Sequence, residues 1–485
     1  MSLPLHARTR PGTPVPEHEV LDGLPPVREV SADEVAARIA RGPRLVVLDD
    51  DPTGTQTVAG VPVLTSWTVD DLRWALRQDS SAFFVLTNTR SLSPEDAAVR
   101  NREVVRALHE ASAAEGTGYV LASRSDSTLR GHFPLETDVL AQELARLGAG
   151  PVDGVVLVPA YIEAGRLTVD SRHWMRTSGG LLPVGESEFA RDATFGYRSS
   201  SLPEWVEEKT AGRVAADEVL RITLDDLRGG GSAHVAALLL SLHRGRTAVV
   251  DAVCDDDLRV LALALAEAEQ QGSRLLYRVG PSFVRARAGQ TARAPLTPAQ
   301  LRPLRGDAPH GLIAVGSHVS LTTRQLDRLR ERGSIAEYEL DVTLLLDTER
   351  REAHIAEVAA AAAGALESAD AVIRTSRTLV TGVDADDSLA ISRRVSAALV
   401  EVVRRVNASR RPAFVVAKGG ITSSDTATHG LGIRRAWARG TLLPGIVSLW
   451  EPVDGPAAGI PYIVFAGNVG GDEALADALD LLRSA

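Results

Sequence analysis

The sequence predicts an α/β protein of two domains, each with a mostly parallel sheet flanked by helices. Three observations carry this reading. Short apolar runs alternate with longer helical patterns along the chain, as in repeated strand–helix units. In the second half, the order strand, glycine loop, helix occurs three times. Between the halves, residues 286–311 are rich in Pro, Arg and Gly and read as a linker. The expected division is an N-terminal arm and lead-in over 1–40, a first domain over 41–285, the linker over 286–311, and a second domain over 312–485.

The elements follow in order. Arg44–Leu48 (RLVVL) is an apolar run that ends in Asp49-Asp50-Asp51. Ala82–Leu86 (AFFVL) ends in Thr87-Asn88-Thr89-Arg90, and the helix after it has a start signal, Ser93 as N-cap with Pro94 at the first helical position. Tyr119–Ala122 ends in Ser123-Arg124-Ser125-Asp126-Ser127, and Gly154–Val158 ends in Pro159-Ala160. Ligands of open parallel sheets bind outside the carboxyl ends of the strands, so these polar loops are expected to share one crevice. Arg246–Val253 reads as a further strand. In the second half Leu312–Val315 leads into Gly316-Ser317-His318, Ala413–Ala417 into Lys418-Gly419-Gly420, and Tyr462–Phe465 into Gly467-Asn468-Val469-Gly470-Gly471. The Ala-rich stretch before Ser368 is a helix signal.

Composition narrows the function classes. Of 485 residues, 53 are Lys or Arg and 63 Asp or Glu, a formal net charge of −10 that argues against a general nucleic-acid partner. With 44% hydrophobic and 24% charged residues the chain reads as an ordinary globular protein. The single cysteine, Cys254, excludes an intramolecular disulfide and a multi-cysteine metal site, and reads as a small buried hydrophobe. No stretch reaches the ~18 apolar residues of a membrane span. The Pro-rich N-terminus lacks a signal-peptide core, so it is read as a mobile arm and the protein as cytoplasmic.

Several loops have the residue types that chemistry needs. A strand followed by a glycine loop and a helix suits a phosphate, because glycines let backbone N–H groups approach; tight strand-to-helix turns are the alternative. The familiar P-loop, dinucleotide fingerprint, zinc-protease motif and nucleophile elbow are missing. The Asp49-Asp50-Asp51-Pro52-Thr53-Gly54 cluster could hold Mg²⁺, accept a hydroxyl proton or bind sugar hydroxyls, or be a solvated turn with an Asp cap. Ser125–His132 packs an acid, three hydroxyls and Arg130 into one loop, and Arg166 could add a second cation for a carboxylate or phosphate. His132, His173, His318 and His429 show no metal-ligand spacing to one another. Lys209 and Lys418 are the only lysines, which gives weight to Lys418 at the mouth of a glycine loop.

These segments together resemble the four-carbon acid sugar kinases. DDDPTG is similar to their D-D-x-T-G, SRSDSTLRGHFPLE to K-x-D-S-T-x-R-G-N-x-x-x-E, and VPAYIEAGRLTVD to P-A-F-P-x-x-G-R. In the second half, GSHVSLTTRQ resembles G-S-x-S-x-x-T-x-x-Q, KGGITS resembles G-G-x-T-S, and AGNVGG resembles K-x-G-N-F-G. The resemblance runs in order from Asp49 to Gly471. It implies an N-terminal sugar-acid domain, a C-terminal ATP-binding domain, and phosphorylation of threonate, erythronate or 3-oxo-tetronate at the 4-hydroxyl with ATP and Mg²⁺. By motif, Asp50, Asp51 and Asp126 are the catalytic candidates, one of them orienting the attacking hydroxyl. Thr53, Gly54, Ser127, Arg130 and Arg166 would bind substrate, with the two arginines on its carboxylate. Ser317, Gly419, Gly420, Ile421, Thr422, Gly467 and Asn468 would touch ATP. Arg124, His132, Ile421, Phe465-Ala466 and Val469 depart from the family pattern, and Lys418 is expected to replace the lysine missing near Phe465, with a solvent-facing side chain as the alternative. An ATP-dependent ligase of a related hydroxy acid and a silent sugar-acid sensor are the competing readings. The expected partners are the small acid and ATP, with no nucleic acid and no membrane, and a homodimer is left open.

Overall fold

The computed structural model describes residues 12–377, 380, 383 and 385–485, so the first eleven residues of the expected arm lie outside the described residues. The chain forms two compact units. The first comprises Met1–Asp50 and Trp67–Ala292, the second Asp51–Ser66 and Arg293–Ala485.

In the first unit, parallel strands lie in the order Ala82–Leu86, Arg44–Asp49, Tyr119–Arg124, Leu275–Val279, Gly154–Val158, Arg246–Val250 and Leu220–Ile222. AFFVL and GVVLV are buried along their whole length, which is why they read as unbroken apolar runs and not as alternating ones; LLYRV is buried as fully but carries Arg278 within it. The helix Pro94–Glu115 starts as its caps predict: Ser93 Oγ accepts the Asp96 N–H at 3.1 Å, and Gly116 ends the helix at φ 64°. Helix Ala32–Ile39, from the expected lead-in, packs on helix Asp255–Gln270. Phe133 stacks on Trp205 at 4.7 Å in an apolar cluster with Leu129, Leu157 and Val206.

A separate antiparallel sheet of Arg166–Val169, Arg172–Thr177 and Gly180–Pro183 was not expected from the sequence. Its first turn places Asp170 and Ser171 at positive φ, and the buried Asp251 carboxylate accepts both of their N–H groups at 2.8 Å. Arg166 therefore opens a strand, where the sequence suggested a loop.

The second unit orders Ile335–Leu340, Asp370–Thr375, Leu312–Val315, Val415–Lys418 and Tyr462–Phe465 in parallel, then Ile446–Pro452, Arg435–Leu443 and Val61–Leu64 in antiparallel. Helices Ser320–Arg332 and Ala474–Arg483 cover a core of Ile313, Leu326, Phe414, Leu475 and Leu479. Residues 51–66 lie in sequence within the expected first domain, yet they pack with this unit. Thr55 Oγ1 bonds Ser448 Oγ at 2.8 Å and accepts the Trp450 indole N–H at 2.9 Å, and Gly60 N donates to Ala438 O at 2.6 Å. The expected linker is also structured in part: it takes in the last two residues of the buried helix Pro281–Arg287 of the first unit and the short helix Pro298–Leu301, and Leu296 N donates to Thr441 O in the second. Among the described residues no helix is long and apolar enough to cross a membrane.

Candidate functional site

The strand ends of the first unit gather charged side chains. Asp50, at the end of Arg44–Asp49, is only 2% exposed. Arg90 grips it through Nη2–Oδ1 at 2.5 Å and Nε–Oδ2 at 3.1 Å, and Arg124 Nη1 lies 3.4 Å from Oδ1. Arg124 also pairs with Asp49 at 3.1 Å. Burial pushes the Asp50 carboxyl up, and the charges of Arg90 and Arg124 oppose that push. Gly131, at φ 120°, seals this corner: a Cβ there would stand 2.9 Å from Arg278 Nη2 and 3.1 Å from Asp50 Oδ2. Arg278 in turn binds Glu136 at 2.6 Å and Ser123 Oγ at 2.9 Å.

Asp126 accepts from Arg130 Nε at 2.6 Å and from the Thr128 hydroxyl. Burial raises its pKa, but the charges of Arg90 and Arg130 and these hydrogen bonds outweigh burial and hold it at about 2. Such a carboxylate is a fixed anion at neutral pH and a weak proton acceptor. Arg130 is held further by Asp192 at 3.4 Å and lies over the Phe189 ring at 4.9 Å. Arg166 donates to Ala164 O, while its Nε is buried without a protein partner. Burial lowers the Arg166 guanidinium pKa and the Asp126 and Tyr161 charges raise it, so the three groups are electrostatic neighbours. Tyr161 faces Arg124, Arg166 and Arg285, which counter the rise that burial gives its phenol.

Ser127 is buried, and its carbonyl accepts from His173 Nε2 at 2.8 Å, while His173 Nδ1 meets Thr168 Oγ1 at 2.9 Å. Burial takes His173 down to about 4, so it is a neutral tie between loops. His132 Nε2 ties to Thr89 O and Leu92 O at 3.1 and 3.2 Å. Both histidines are accounted for by backbone carbonyls and, for His173, the Thr168 hydroxyl.

Glycines dominate the corresponding strand ends of the second unit. A Cβ on Gly316 would fall on Thr422 Oγ1; one on Gly419, at φ 127°, would lie 2.9 Å from the same oxygen; one on Gly467 would lie 2.5 Å from Ser317 Oγ. The three loops thus touch, and only glycine allows it. Thr322 Oγ1 donates to Gly467 O at 3.0 Å and meets Ser317 Oγ at 3.1 Å, and Gln325 Nε2 donates to Val469 O and Gly471 O at 3.1 and 2.9 Å. Thr422 is buried, Ile421 is 58% exposed and Asn468 is exposed.

Three residues expected at the sugar acid fall in the second unit. Asp51, Thr53 and Gly54 belong to the second unit, where Asp51 Oδ2 is 3.3 Å from the place of a Gly420 Cβ and Oδ1 accepts Thr53 N at 2.9 Å and Thr53 Oγ1 at 2.5 Å. Lys418 does not face solvent, as the alternative for it held: it is wholly buried, with Nζ on Ala466 O at 2.7 Å.

Arg90, Tyr161, Arg278 and Arg285 join the first cluster without having been singled out as site residues. The signal for Arg90 was available, since it closes the loop after AFFVL; Arg278 sits on a strand that the sequence reading passed over.

Comparison with known proteins adds to this geometry. A family model described as a sugar-binding N-terminal domain matches residues 45–287, and one described as a nucleotide-binding C-terminal domain matches residues 312–475. The chain is 27% identical over 458 residues to the D-threonate kinase of Bordetella bronchiseptica, covering 91% of this chain and 98% of that one. It is 26% identical over 275 residues to the D-erythronate kinase of Heliobacterium modesticaldum and 30% identical over 261 residues to the D-threonate kinase of Cupriavidus necator. With these two, the chain spans about half the relative's length, 56% and 52%. The fold matches crystal structures of proteins from Salmonella typhimurium LT2 (TM-score 0.64, 19% identity, covering 90% of this chain and 98% of that one) and Haemophilus influenzae (TM-score 0.60, 20% identity, covering 90% and 100%).

Proposed function

Since the chain belongs to the four-carbon acid sugar kinase family, we propose that it transfers the γ-phosphoryl group of ATP to a hydroxyl of a four-carbon sugar acid of the threonate or erythronate type. The observation that carries the reading is the pairing of two dissimilar sets of strand-end loops. The region matched as sugar-binding has guanidiniums aligned by carboxylates, and the region matched as nucleotide-binding has three touching glycine loops.

In this reading Arg130 and Arg166 take the substrate carboxylate. Arg130 is pre-set by Asp126 and Asp192, and Arg166 has a buried Nε to satisfy. A planar fork held in one orientation costs little entropy on binding. Asp126 then serves by positioning Arg130, and Asp50 by holding Arg90 and Arg124. Asp50 and Asp51 are consecutive but belong to different units, so the chain carries one carboxylate into each set of loops. The glycine loops would receive the polyphosphate on backbone N–H groups. Mg²⁺ would travel with it, since that ion commonly takes one or two carboxylates plus phosphate oxygens. Among the described residues no cluster of three His, Cys, Asp or Glu could hold a metal without such help, and Asp51 beside Gly420 is a carboxylate that the second unit offers. Transfer to an alcohol is mostly positioning and charge neutralisation, which these residue types supply. ATP as donor goes with a cytoplasmic location.

The test is product analysis with purified protein, ATP, Mg²⁺ and either D-threonate or D-erythronate. ADP with a phosphorylated acid is expected. AMP or a condensed product would turn the reading to a ligase. Binding of acid and ATP with no ADP release, across four- to six-carbon sugar acids, would turn it to a sensor.

A further inference from the structure

Lys418 connects the three glycine loops. It is the last residue of its strand, in register with Val315 on one side and Phe465 on the other. Its carbonyl accepts N–H groups of Gly316 and Ser317, both at 3.3 Å, and the next residue, Gly419, donates to Phe465 O at 2.8 Å. Its side chain turns inward and is wholly buried. Nζ donates to Ala466 O at 2.7 Å and lies 3.8 Å from the centre of the Phe465 ring. Main chain and side chain of one residue therefore hold the first and third loops, while the second begins at its own C-terminus.

We propose that Lys418 is a positioning residue: its ammonium braces the third glycine loop through the Ala466 carbonyl and the Phe465 ring, and does not itself ligate phosphate. The proposal rests on the kinase reading for the ligand of these loops, though not for the brace. A buried ammonium needs partial negative charge around it, and here a carbonyl oxygen and a ring face supply it. Among the described residues no charged side chain is a cause of its shift; burial draws the pKa down to about 7. Reaching for a phosphate would strip the cation of both partners and release the backbone that shapes the loop. A lysine that served as a phosphate point charge would have its head group in the loop mouth, not under it.

The two lysines make the test direct. In protein labelled at lysine Cε, two resonances are expected, and Lys209→Arg assigns them. The Lys418 resonance is expected to be shifted upfield by the Phe465 ring in the free protein, to lose that shift in Phe465→Leu, and to keep it with saturating ADP. Calorimetry with ADP is expected to show Lys418→Met and Phe465→Leu each weaker by about tenfold, as for one lost charge-assisted contact, with the double variant no weaker than the worse single. KM for ATP should rise while kcat at saturation stays within about twofold, a split that general destabilisation would not give. An unshifted resonance in the free protein overturns the brace. So does a resonance that leaves the ring when ADP binds, or Phe465→Leu binding ADP like wild type while Lys418→Met does not. If wild type binds neither ATP nor ADP, the kinase reading falls, and the resonance alone decides whether the brace exists.

Discussion

The strand ends of the two units handle charge in opposite ways. In the first, carboxylates and guanidiniums crowd together: Asp50 with Arg90 and Arg124, Asp126 with Arg130, Glu136 with Arg278. In the second, glycines let backbone approach backbone, and buried Lys418 meets a carbonyl and a ring and, among the described residues, no carboxylate. The difference teaches what each ligand demands. A small sugar acid is told from its relatives by the directions of a few hydroxyls and one carboxylate, so its site needs side-chain forks held in fixed orientations. A polyphosphate is recognised by dense charge and close approach, so its site needs backbone donors and the absence of side chains.

The sharpest way to break the comparison is to put a side chain where the second unit excludes one. Gly419→Ala forces a Cβ against Thr422 Oγ1 and Ser317 at a φ that only glycine adopts readily. ATP affinity is expected to fall by about a hundredfold or more, on the order of 3 kcal/mol, with sugar-acid affinity unchanged. Calorimetry with each ligand checks it; equal loss for both ligands would show that the division of labour is wrong.

The counterpart in the first unit is Asp50→Asn. Removing the charge leaves Arg90 and Arg124 facing a neutral amide in a buried corner, and the expected loss of stability is about 3 kcal/mol by urea denaturation. Asp126→Asn is expected to cost less stability, because its partner Arg130 keeps Asp192 and partial exposure, but to raise KM for the acid. The same Asn series extended to Asp51 separates positioning carboxylates from the one that orients the hydroxyl, which is the one with the largest loss of kcat.

Much of this contrast was legible in the sequence, and the unread part has a physical pattern. Runs such as AFFVL, GVVLV and LIAV, buried along their length, announce themselves as strands and matched the structure residue for residue. Strands with mixed burial, such as Ile335–Leu340 and Arg435–Leu443, carry Glu, Arg and Gly within them and were passed over. The glycine loops were legible because each follows an apolar run; that they touch one another is a tertiary fact. Asp51–Ser66 is the instructive case. Its motif reads continuously with Asp49 and Asp50, but Thr55, Val61 and Leu64 find their partners in Ser448, Ala438 and Arg435, nearly four hundred positions further on. Lys418 was flagged through its rarity, and nothing local could tell that a carbonyl and a ring from the adjacent strand would enclose it.

A milder test sharpens the first unit's half of the contrast. Arg130→Lys keeps a cation but loses the planar fork that Asp126, Asp192 and Phe189 hold in place. The expected outcome is a KM for the sugar acid about tenfold higher, with KM for ATP unchanged. A parallel rise in both would mean that the arginine serves the fold and not the acid.

The smallest effect is one of pH, and it separates the units by the sign of what they bury. Burial holds the Lys418 ammonium pKa at about 7, below the ordinary lysine value of 10.5, with no carboxylate among the described residues to offset it. Between those two values the unfolded chain binds the proton more fully than the folded one, so the group makes stability rise with pH from about 7 upward. Below about 7 both states are protonated and its contribution is flat. The slope cannot exceed about 1.4 kcal/mol per pH unit for one proton. Asp126 runs the other way in origin: its carboxyl is held at about 2 in the folded state against 3.8, so its stabilisation is present above about 4 and lost as pH falls toward 2. Urea midpoints at pH 7, 8 and 9 for wild type and Lys418→Met isolate the lysine, since every other titration is common to both proteins. Wild type is expected to gain stability relative to the variant across that range. A difference that stays constant with pH would mean that the Ala466 carbonyl and the Phe465 ring hold the ammonium charged at an ordinary pKa, and that the second unit stabilises its buried cation as fully as ion pairs stabilise those of the first.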